Sequence, residues 1–266
     1  MNVTKHVLNT YLQNRALGVS TGHVYEVKRF LFKFLSATNW RVDFNSTLDY
    51  LNNIRVNKSQ AYYSKQTFQI IKFLNYLDLP WAKKIERPQP VHYQPIKVSD
   101  EQVKDAIAYF KGDNQTIALI HLGCDSGLRA EELYQLKIEN IDLGNRTVYV
   151  KHDPKNGQST KTGVSRQSFF TGKTAKLLTI YFESFNKQNR KRHLFNKITM
   201  ERKFRQSPIR CKMTRHVFSS RWERALGPSG AKAVLMGHSN KTVDCSHYLS
   251  LTTEELHNIY DQVIKW

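Results

Sequence analysis

The sequence predicts a mainly α-helical protein with one small antiparallel β-sheet, arranged as two domains. Apolar side chains recur every three or four residues over most of the chain, which is the helical period. Two short stretches rich in β-branched and aromatic residues flank a basic turn region, as in a hairpin. A proline-rich stretch interrupts the pattern. Together these features predict a helical domain at residues 1–85, a linker at 86–97 and an α+β domain at 98–266.

The first domain is predicted to be helical because its apolar residues share faces. In HVLNTYLQNRAL, Val7, Leu8 and Leu12 fall at helical spacing, and VYEVKRFLFKFLSA repeats the pattern. STLDYLNNI predicts a further helix with Ser46 as its N-cap. The aromatic face of the next helix, YYSKQTFQIIKFLNYL, could stack on nucleic-acid bases, but its helical spacing favours a place in the core.

A linker and a new helix start follow. IERPQPVHYQPIK contains three prolines and little periodicity, which indicates an extended linker. Ser99 is then a predicted N-cap, with Asp100 and Glu101 in the first helical turn. QTIALIHLGC predicts an apolar helix that stops at DSG, and Arg129 begins a shorter helix, AEELYQL.

The second domain continues with a hairpin and further helices. NRTVYVKH and VSRQSFFT predict two strands joined by the long basic loop DPKNGQSTKTG. Helical patterns return in KMTRHVFSSRWERAL, SGAKAVLMG and TTEELHNIYDQVIKW. The last of these begins with a capping-box pattern at Thr252 and Glu255.

Charge indicates a polyanionic partner. The net charge is +19, and the sequence pI is about 9.8. Residues 1–97 carry 14 Lys and Arg against 5 Asp and Glu, and residues 98–266 carry 27 against 17. Both halves are therefore expected to face double-stranded DNA, whose backbone is densely charged. The alternative is a basic protein whose charge serves only solubility.

Other signals bear on compartment and cofactors. Cys124, Cys211 and Cys245 are odd in number and lack CxxC spacing, which favours reduced thiols inside a cell. No apolar run reaches membrane-spanning length, and the N-terminus lacks a signal-peptide layout, so a cytoplasmic, DNA-associated protein is expected. Without a Walker loop, a Rossmann glycine pattern or a carboxylate cluster, neither a nucleotide nor a metal cofactor is predicted.

Several residues are candidates for chemistry on a phosphodiester. Tyr248 could act as a nucleophile, although a free phenol ionises only near pH ~10. Attack on phosphorus builds charge on the non-bridging oxygens, which arginine forks can stabilise, and the leaving sugar oxygen needs a proton. Arg129 is a candidate for the first role, although taken alone it is better explained as a surface arginine paired with Glu132 or Glu131.

The remaining candidates also have plain structural explanations. Lys212 and Arg215 share a helix face, a spacing that arises easily in a chain rich in Lys and Arg. His238 follows Gly237 and could simply cap a helix C-terminus. Lys161 lies in the hairpin loop, six residues after Lys155, where a lysine could be merely solvated or could deliver a proton.

The order of these motifs resembles that of the tyrosine recombinases of the phage-integrase type. GCDSGLRAEELYQLKIENIDL resembles the first arginine box of the family, with its acidic residue at Glu132 and a packing residue at Leu136. CKMTRHVFSS resembles the second box, and GH followed by HY completes the series. The resemblance extends from about Ser99 to Leu251, while residues 1–85 resemble the core-binding domain of the family in layout only.

The resemblance implies a role for each candidate. Tyr248 attacks the scissile phosphate and forms a 3′-phosphotyrosyl link, while Arg129 and Arg215 hold the non-bridging oxygens. Lys161, chosen over Lys155 for its place just before the second strand, protonates the 5′ leaving oxygen. Lys212 assists with hydrogen bonds and proton handling.

His238 shares that auxiliary role. Most family members carry histidine at the position of Lys212, so this sequence departs from the family pattern there, while the phosphate-facing role of the position is kept. The lysine, and the ten-residue interval from His238 to Tyr248, are similar to integrases of archaeal viruses and plasmids.

The implied function is site-specific recombination without metal or nucleotide, by a tetramer on two DNA sites. In the family the C-terminal helix often docks on a neighbouring protomer, whereas the alternative is packing on its own domain. The rival functions are a relaxing enzyme similar to type IB topoisomerases and a catalytically inactive DNA-binding protein.

Overall fold

The computed structural model describes most of the chain, namely residues 1–89, 96–184, 193–238 and 250–265. The chain divides into two compact units, Met1–Gln94 and Pro95–Trp266. The division lies inside the segment 86–97. The predicted nucleophile, Tyr248, lies outside the described residues.

The first unit is built from helices, as its apolar periodicity predicts. Residues of α2 and α4, such as Phe34, Leu35, Ile70 and Phe73, are fully buried in a shared core. The apolar face of α4 therefore serves packing, because burial leaves it no room to stack on bases. The helices are α1 (Lys5–Ala16), α2 (Thr21–Ala37), α3 (Phe44–Asn57) and α4 (Gln60–Tyr76).

The start of α3 corrects one prediction. Its N-cap is Asp43, whose carboxylate accepts a hydrogen bond from the backbone N–H of Ser46 at 2.9 Å. The Ser46 hydroxyl accepts in return from the Asp43 N–H at 3.4 Å. The prediction of Ser46 as N-cap is wrong because Asp is an equally good cap and stands one turn earlier.

The second unit surrounds one buried helix, α6. Its residues from Ala118 to Ser126 are all buried, and it packs against α8 and α10. The Ser99 cap is confirmed, since its hydroxyl accepts from the Gln102 N–H at 3.1 Å. The α-helices among the described residues of this unit are α5 (Asp100–Tyr109), α6 (Asn114–Ser126), α7 (Ala130–Gln135), α8 (Gly172–Ser184), α9 (Lys197–Lys203), α10 (Cys211–Arg224), α11 (Ser229–Met236) and α12 (Thr253–Val263). In the described ranges, no helix is long and apolar enough to cross a membrane.

A three-stranded antiparallel sheet of order β1-β2-β3 lies in the described part of the second unit. β2 (Thr147–Val150) and β3 (Arg166–Phe169) are the predicted hairpin, paired so that Val150 is opposite Arg166. The short β1 (Ile141–Asp142) extends the sheet beyond the two strands that the sequence indicates. The register places Arg166 at the end of β3 nearest the long loop.

The C-terminal helix α12 packs on its own domain. Leu256, Tyr260 and Ile264 are buried in a cluster with Phe169 of β3 and Trp222 of α10. This is the own-domain alternative that the sequence leaves open. A second consequence concerns reactivity: burial raises the pKa of the Tyr260 phenol well above its ordinary value, so this side chain is a poor nucleophile.

Candidate active site

Arg129 is placed by a tight turn between α6 and α7. Gly127 ends α6 in the left-handed conformation, with φ of +63°. A Cβ on Gly127 would lie 2.5 Å from the ring of Phe218, so both the backbone and the packing require glycine. The turn places Arg129 immediately before α7, as its N-cap residue, with the side chain 23% exposed.

The carboxylate of Glu132 orients Arg129. It accepts from the Arg129 backbone N–H at 2.8 Å and from Nη1 at 3.0 Å. It also accepts two hydrogen bonds from Arg166, at 3.0 and 2.7 Å. Burial alone would raise the pKa of Glu132, but the bonds from Arg166 and then Arg129 lower it below the usual range. Glu132 is therefore a buried anion shared by two guanidiniums.

Three arginines from three different elements converge on the C-terminal end of α11. Arg166 Nε donates to the carbonyl of Leu235 at 2.9 Å, and Arg215 Nη1 donates to that of Met236 at 2.8 Å. Arg129 Nη2 donates to the carbonyl of Gly237 at 3.0 Å. These carbonyls lack partners within the helix and carry the negative end of its dipole. One helix end therefore gathers three cations.

Arg215 connects this helix end to the turn before Arg129. Its Nη1 also donates to the carbonyl of Gly127 at 2.7 Å. Burial, and then the nearby Arg129, lower the pKa of Arg215 to about 10, so the guanidinium remains charged at neutral pH. The pair predicted from sequence is thus brought together on one side of the domain.

A cleft of about 410 Å³ opens beside the two arginines. Among the described residues its walls hold three cations, two imidazoles and no carboxylate, which suits an anion such as a phosphodiester. The lining residues are Arg129, Ala130, Lys212, Arg215, His216, Ser219, Met236 and His238.

His238 lies where the chain leaves α11. Gly237 has a φ of +65°, and the backbone N–H of His238 donates to the carbonyl of Ala233 at 2.9 Å, which closes the helix. Packing around the imidazole, and then the positive charges of Arg215 and Arg129, lower the pKa of His238. The ring is thus neutral near pH 7, and it lines the cleft in addition to following a helix end.

The hairpin loop holds the two lysines that the sequence leaves in competition. Lys155 lies in a short 3₁₀ turn, and Lys161 is exposed in the turn before β3. Neither lines the cleft. The base of the loop is fixed by the buried Gln158, whose Nε2 donates to the carbonyl of Gln135 at 3.0 Å and to Asn140 Oδ1 at 2.8 Å.

Two residues at the site were not predicted from sequence. His216 lines the cleft beside Arg215, and its signal was present: it lies four residues after Lys212 and so shares a helix face with it. Arg166 binds Glu132 from a strand 34 residues away, and no local pattern indicates such a pair.

A larger hollow of about 740 Å³ lies elsewhere in the second unit, between α5 and the end of α12. Its walls include Val103, Ile107 and Val263 together with charged residues. Arg221 in this hollow is bound to Asp100 at 2.8 Å. None of the sequence-predicted site residues that the structure describes lines it, so the smaller cleft is the candidate active site.

Comparison with known proteins identifies the family of this chain. Residues 97–255 match the family model described as the phage integrase family. Tyrosine recombinase XerA of Saccharolobus solfataricus is 30% identical over 123 residues, which are 46% of this chain and 38% of XerA. An integrase/recombinase of Escherichia coli is 28% identical over 74 residues, which are 28% of this chain and 21% of that protein. The match thus spans less than half the length of either curated relative.

Solved structures share the fold. The Tn1549 transposon integrase, in complex with circular intermediate DNA, has a TM-score of 0.71 at 14% identity over 97% of this chain and 99% of that one. A lambda integrase dimer bound to a core site has a TM-score of 0.70 at 12% identity over 92% and 95%. Since the family model covers more than half of the sequence, this protein belongs to the phage integrase family of tyrosine recombinases.

Proposed function

We propose that this protein is a site-specific DNA recombinase that cleaves and rejoins duplex DNA through a phosphotyrosyl link at Tyr248. The Tyr248 hydroxyl gives its proton to the neutral imidazole of His238 as its oxygen bonds to phosphorus. The bond from phosphorus to the 5′ oxygen breaks, and Lys161 gives that oxygen a proton. A 5′ hydroxyl from a second DNA site reverses the attack. Because the phosphodiester energy is kept in the covalent link, the cycle needs no outside energy.

The observation that carries the proposal is the convergence of Arg129 and Arg215 on the end of α11, beside a cleft whose described lining residues include no carboxylate. Two fixed guanidiniums can hold both non-bridging oxygens as charge develops, with no rearrangement at the moment of reaction. Lys212 and the neutral His238, on the same walls, are proposed to supply further hydrogen bonds to the phosphate and to assist proton transfer.

The proposed partner is double-stranded DNA. The net charge of +19 fits a polyanion, and the integrases with the same fold were solved on DNA. We also propose a tetramer on two DNA sites, with residues 1–85 as the second DNA-binding domain and 86–97 as the linker. In the described structure α12 covers its own domain, so the tetramer would need either another contact or release of this helix.

Tyr248 is preferred to Tyr260 on physical grounds. The Tyr260 side chain is fully buried among Phe169, Trp222 and Leu256, where DNA cannot reach it. Its hydroxyl has no hydrogen-bond partner in the part of the chain that the structure describes, so a phenylalanine should replace it at little cost.

A trapping experiment tests the proposal. The protein is incubated in EDTA with a library of duplexes that carry a nick beside a randomised segment. Cleavage releases the short 5′ hydroxyl fragment, so the covalent link cannot reverse and the complex accumulates. Wild type is expected to trap DNA and Tyr248→Phe is not, while Tyr260→Phe is the matched control and should trap like wild type.

Each other outcome has a definite meaning. Trapping by Tyr248→Phe would show that the nucleophile is misassigned. Binding with steep salt dependence but no trapping on any sequence would favour the inactive DNA-binding protein. Relaxed supercoils without exchanged strands would favour the activity of a type IB topoisomerase over recombination.

A further inference from the structure

Arg166 is a cation at the site to which the proposed mechanism gives no role. It stands at the start of β3, and its side chain is only 8% exposed. Both of its terminal nitrogens donate to the Glu132 carboxylate, and its Nε donates to the carbonyl of Leu235. All three nitrogens of the guanidinium are thus engaged in fixed directions, and the side chain does not line the cleft.

The ion pair between Arg166 and Glu132 limits how many N–H groups of Arg129 the Glu132 carboxylate occupies. The carboxylate spreads its charge over two guanidiniums, so only Nη1 of the Arg129 side chain is bound to it. Nη2 gives one hydrogen to the carbonyl of Gly237, and the other Nη2 hydrogen and Nε–H are thereby available to an anion in the cleft. If Arg166 were absent, the buried carboxylate would have Arg129 as its sole guanidinium partner among the described contacts, and it would compete directly with phosphate for that cation.

The hydrogen bond to the Leu235 carbonyl connects Arg166 to the end of α11, which is the backbone segment that leads to His238. Leu235 and Gly237 lie in the last turn of α11 and its cap, where the chain turns toward His238. A Cβ on Gly237 would lie 2.8 Å from the Arg166 guanidinium, so the two are packed without spare room. A change in the position of Arg166 is therefore transmitted to both walls of the cleft.

We propose that Arg166 is a positioning residue for DNA cleavage, acting through Glu132 on Arg129 and through the end of α11 on His238. This inference rests on the proposed function. Arg166 itself does not touch the DNA. It keeps Arg129 available to the phosphate, and it holds the end of α11 so that His238 lines the cleft.

The test uses Arg166→Lys in the full-length protein. Lysine keeps the charge but cannot bond both carboxylate oxygens and the carbonyl at once. Single-turnover cleavage of a nicked duplex at saturating DNA is expected to be at least about tenfold slower, while DNA affinity and melting temperature stay close to those of wild type. Arg146→Lys is the matched control, because Arg146 makes a similar two-pronged bond to Asp261 outside the cleft.

Combining the Arg166→Lys substitution with a modified DNA phosphate separates a loss of positioning from general damage to the fold. On duplexes with a methylphosphonate at the scissile position, one charged oxygen is missing, and the Arg166→Lys defect is expected to shrink to within about threefold for the isomer that lacks the oxygen facing Arg129. A defect of equal size on phosphate and on both isomers would overturn the inference, as would a variant that cleaves as fast as wild type.

A second variant covers the case in which Arg166→Lys folds poorly. Arg166→Met combined with Glu132→Gln removes the buried charge together with its partner, so folding is expected to recover. Cleavage is expected to stay slow because the end of α11 still lacks its bond from Arg166 and Arg129 lacks the carboxylate that orients it. Wild-type cleavage by this double variant would overturn the inference. If wild type itself forms no covalent complex, it is the proposed function that fails, so the two failures are distinguishable.

Discussion

Arg215 and Lys161 are both cations that the proposed mechanism directs at one phosphodiester, yet the structure holds them in different ways. The Arg215 guanidinium bonds two backbone carbonyls, from the ends of α6 and α11. Lys161 is exposed in a loop and makes no ion pair in the described part of the chain. The neighbouring Thr160 is fixed instead, with its backbone N–H donating to His152 Nδ1 at 3.1 Å.

The difference between a fixed arginine and an exposed lysine matches their proposed roles, which are charge stabilisation and proton donation. Charge stabilisation is most effective when donors are fixed before the reaction, which the helix ends provide for the arginines. A proton donor must approach a leaving oxygen that is in place only when DNA is bound. Lys161 is exposed on a loop whose base is held by Gln158, so its side chain is open to such a partner.

The largest effect is expected for Arg215→Ala. Cleavage should slow by about 10²–10³-fold, or roughly 3–4 kcal/mol of barrier, as for the loss of a fixed donor to a developing anion. Single-turnover rates at saturating DNA measure it. Arg224→Ala is the control, since that residue lies on the same helix but pairs with Asp100 at the surface. Equal rates for the two variants would remove the distinction between Arg215 and an ordinary surface arginine.

The hairpin lysine should give the next effect. Lys161→Ala is expected to slow cleavage about 10²-fold, the usual contribution of a general acid, while Lys155→Ala stays near wild type. A duplex with sulfur in place of the 5′ leaving oxygen should rescue Lys161→Ala, because a thiolate leaves without a proton. Rescue of Lys155→Ala instead would exchange the roles of the two lysines.

Replacing one glycine beside the arginines and one in the hairpin loop compares these two regions by their stability instead of by the cleavage rate. Gly237 and Gly157 both have positive φ, at +65° and +75°, but only at Gly237 would a Cβ meet other atoms. Gly157→Ala should cost about 1 kcal/mol of unfolding free energy for its backbone alone. Gly237→Ala should cost roughly 3 kcal/mol, since the clash with Arg166 adds to the strain. Urea denaturation measures both, and equal losses would mean that the arginine cluster yields easily.

The smallest effect concerns pH. The pKa of His238 is lowered by packing and by the surrounding arginines, so its neutral form persists to lower pH than that of a free histidine. The cleavage rate should be unaffected by this group above pH ~6.5 and should fall below it. His238→Gln should lose that acidic limb. A midpoint above pH ~7 would show that the cations do not act on this ring.

Local signals explain what could be predicted from the sequence. The helices follow from apolar spacing, and the place of Arg129 follows from a glycine turn that ends a buried helix. The convergence of Arg129 and Arg215 was implied by the resemblance of their two boxes to the family, since each signal alone also has a plain structural explanation. The cap of α3 was misplaced because Asp43 and Ser46 are both good caps and only the structure separates their roles.

Long-range pairs explain what could not be predicted. Arg166 meets Glu132 only after the hairpin folds back, and strand propensity contains no information about that partner. The conformation of the long hairpin loop likewise depends on the buried Gln158, whose side chain donates a hydrogen bond to the carbonyl of Gln135. Neither contact has a periodic signature. They become visible only when distant elements are placed together.

Peptide mapping of the covalent complex tests the central proposition most directly, because every described part of the cleft is proposed to serve a tyrosine outside the described residues. The trapped protein is digested with nuclease and trypsin, and tandem mass spectrometry locates the residue that carries the nucleotide. The nucleotide is expected on Tyr248, with the yield lost in Arg215→Ala. A nucleotide on Tyr260 or on any other residue would contradict the proposition that these arginines surround the phosphate that Tyr248 attacks.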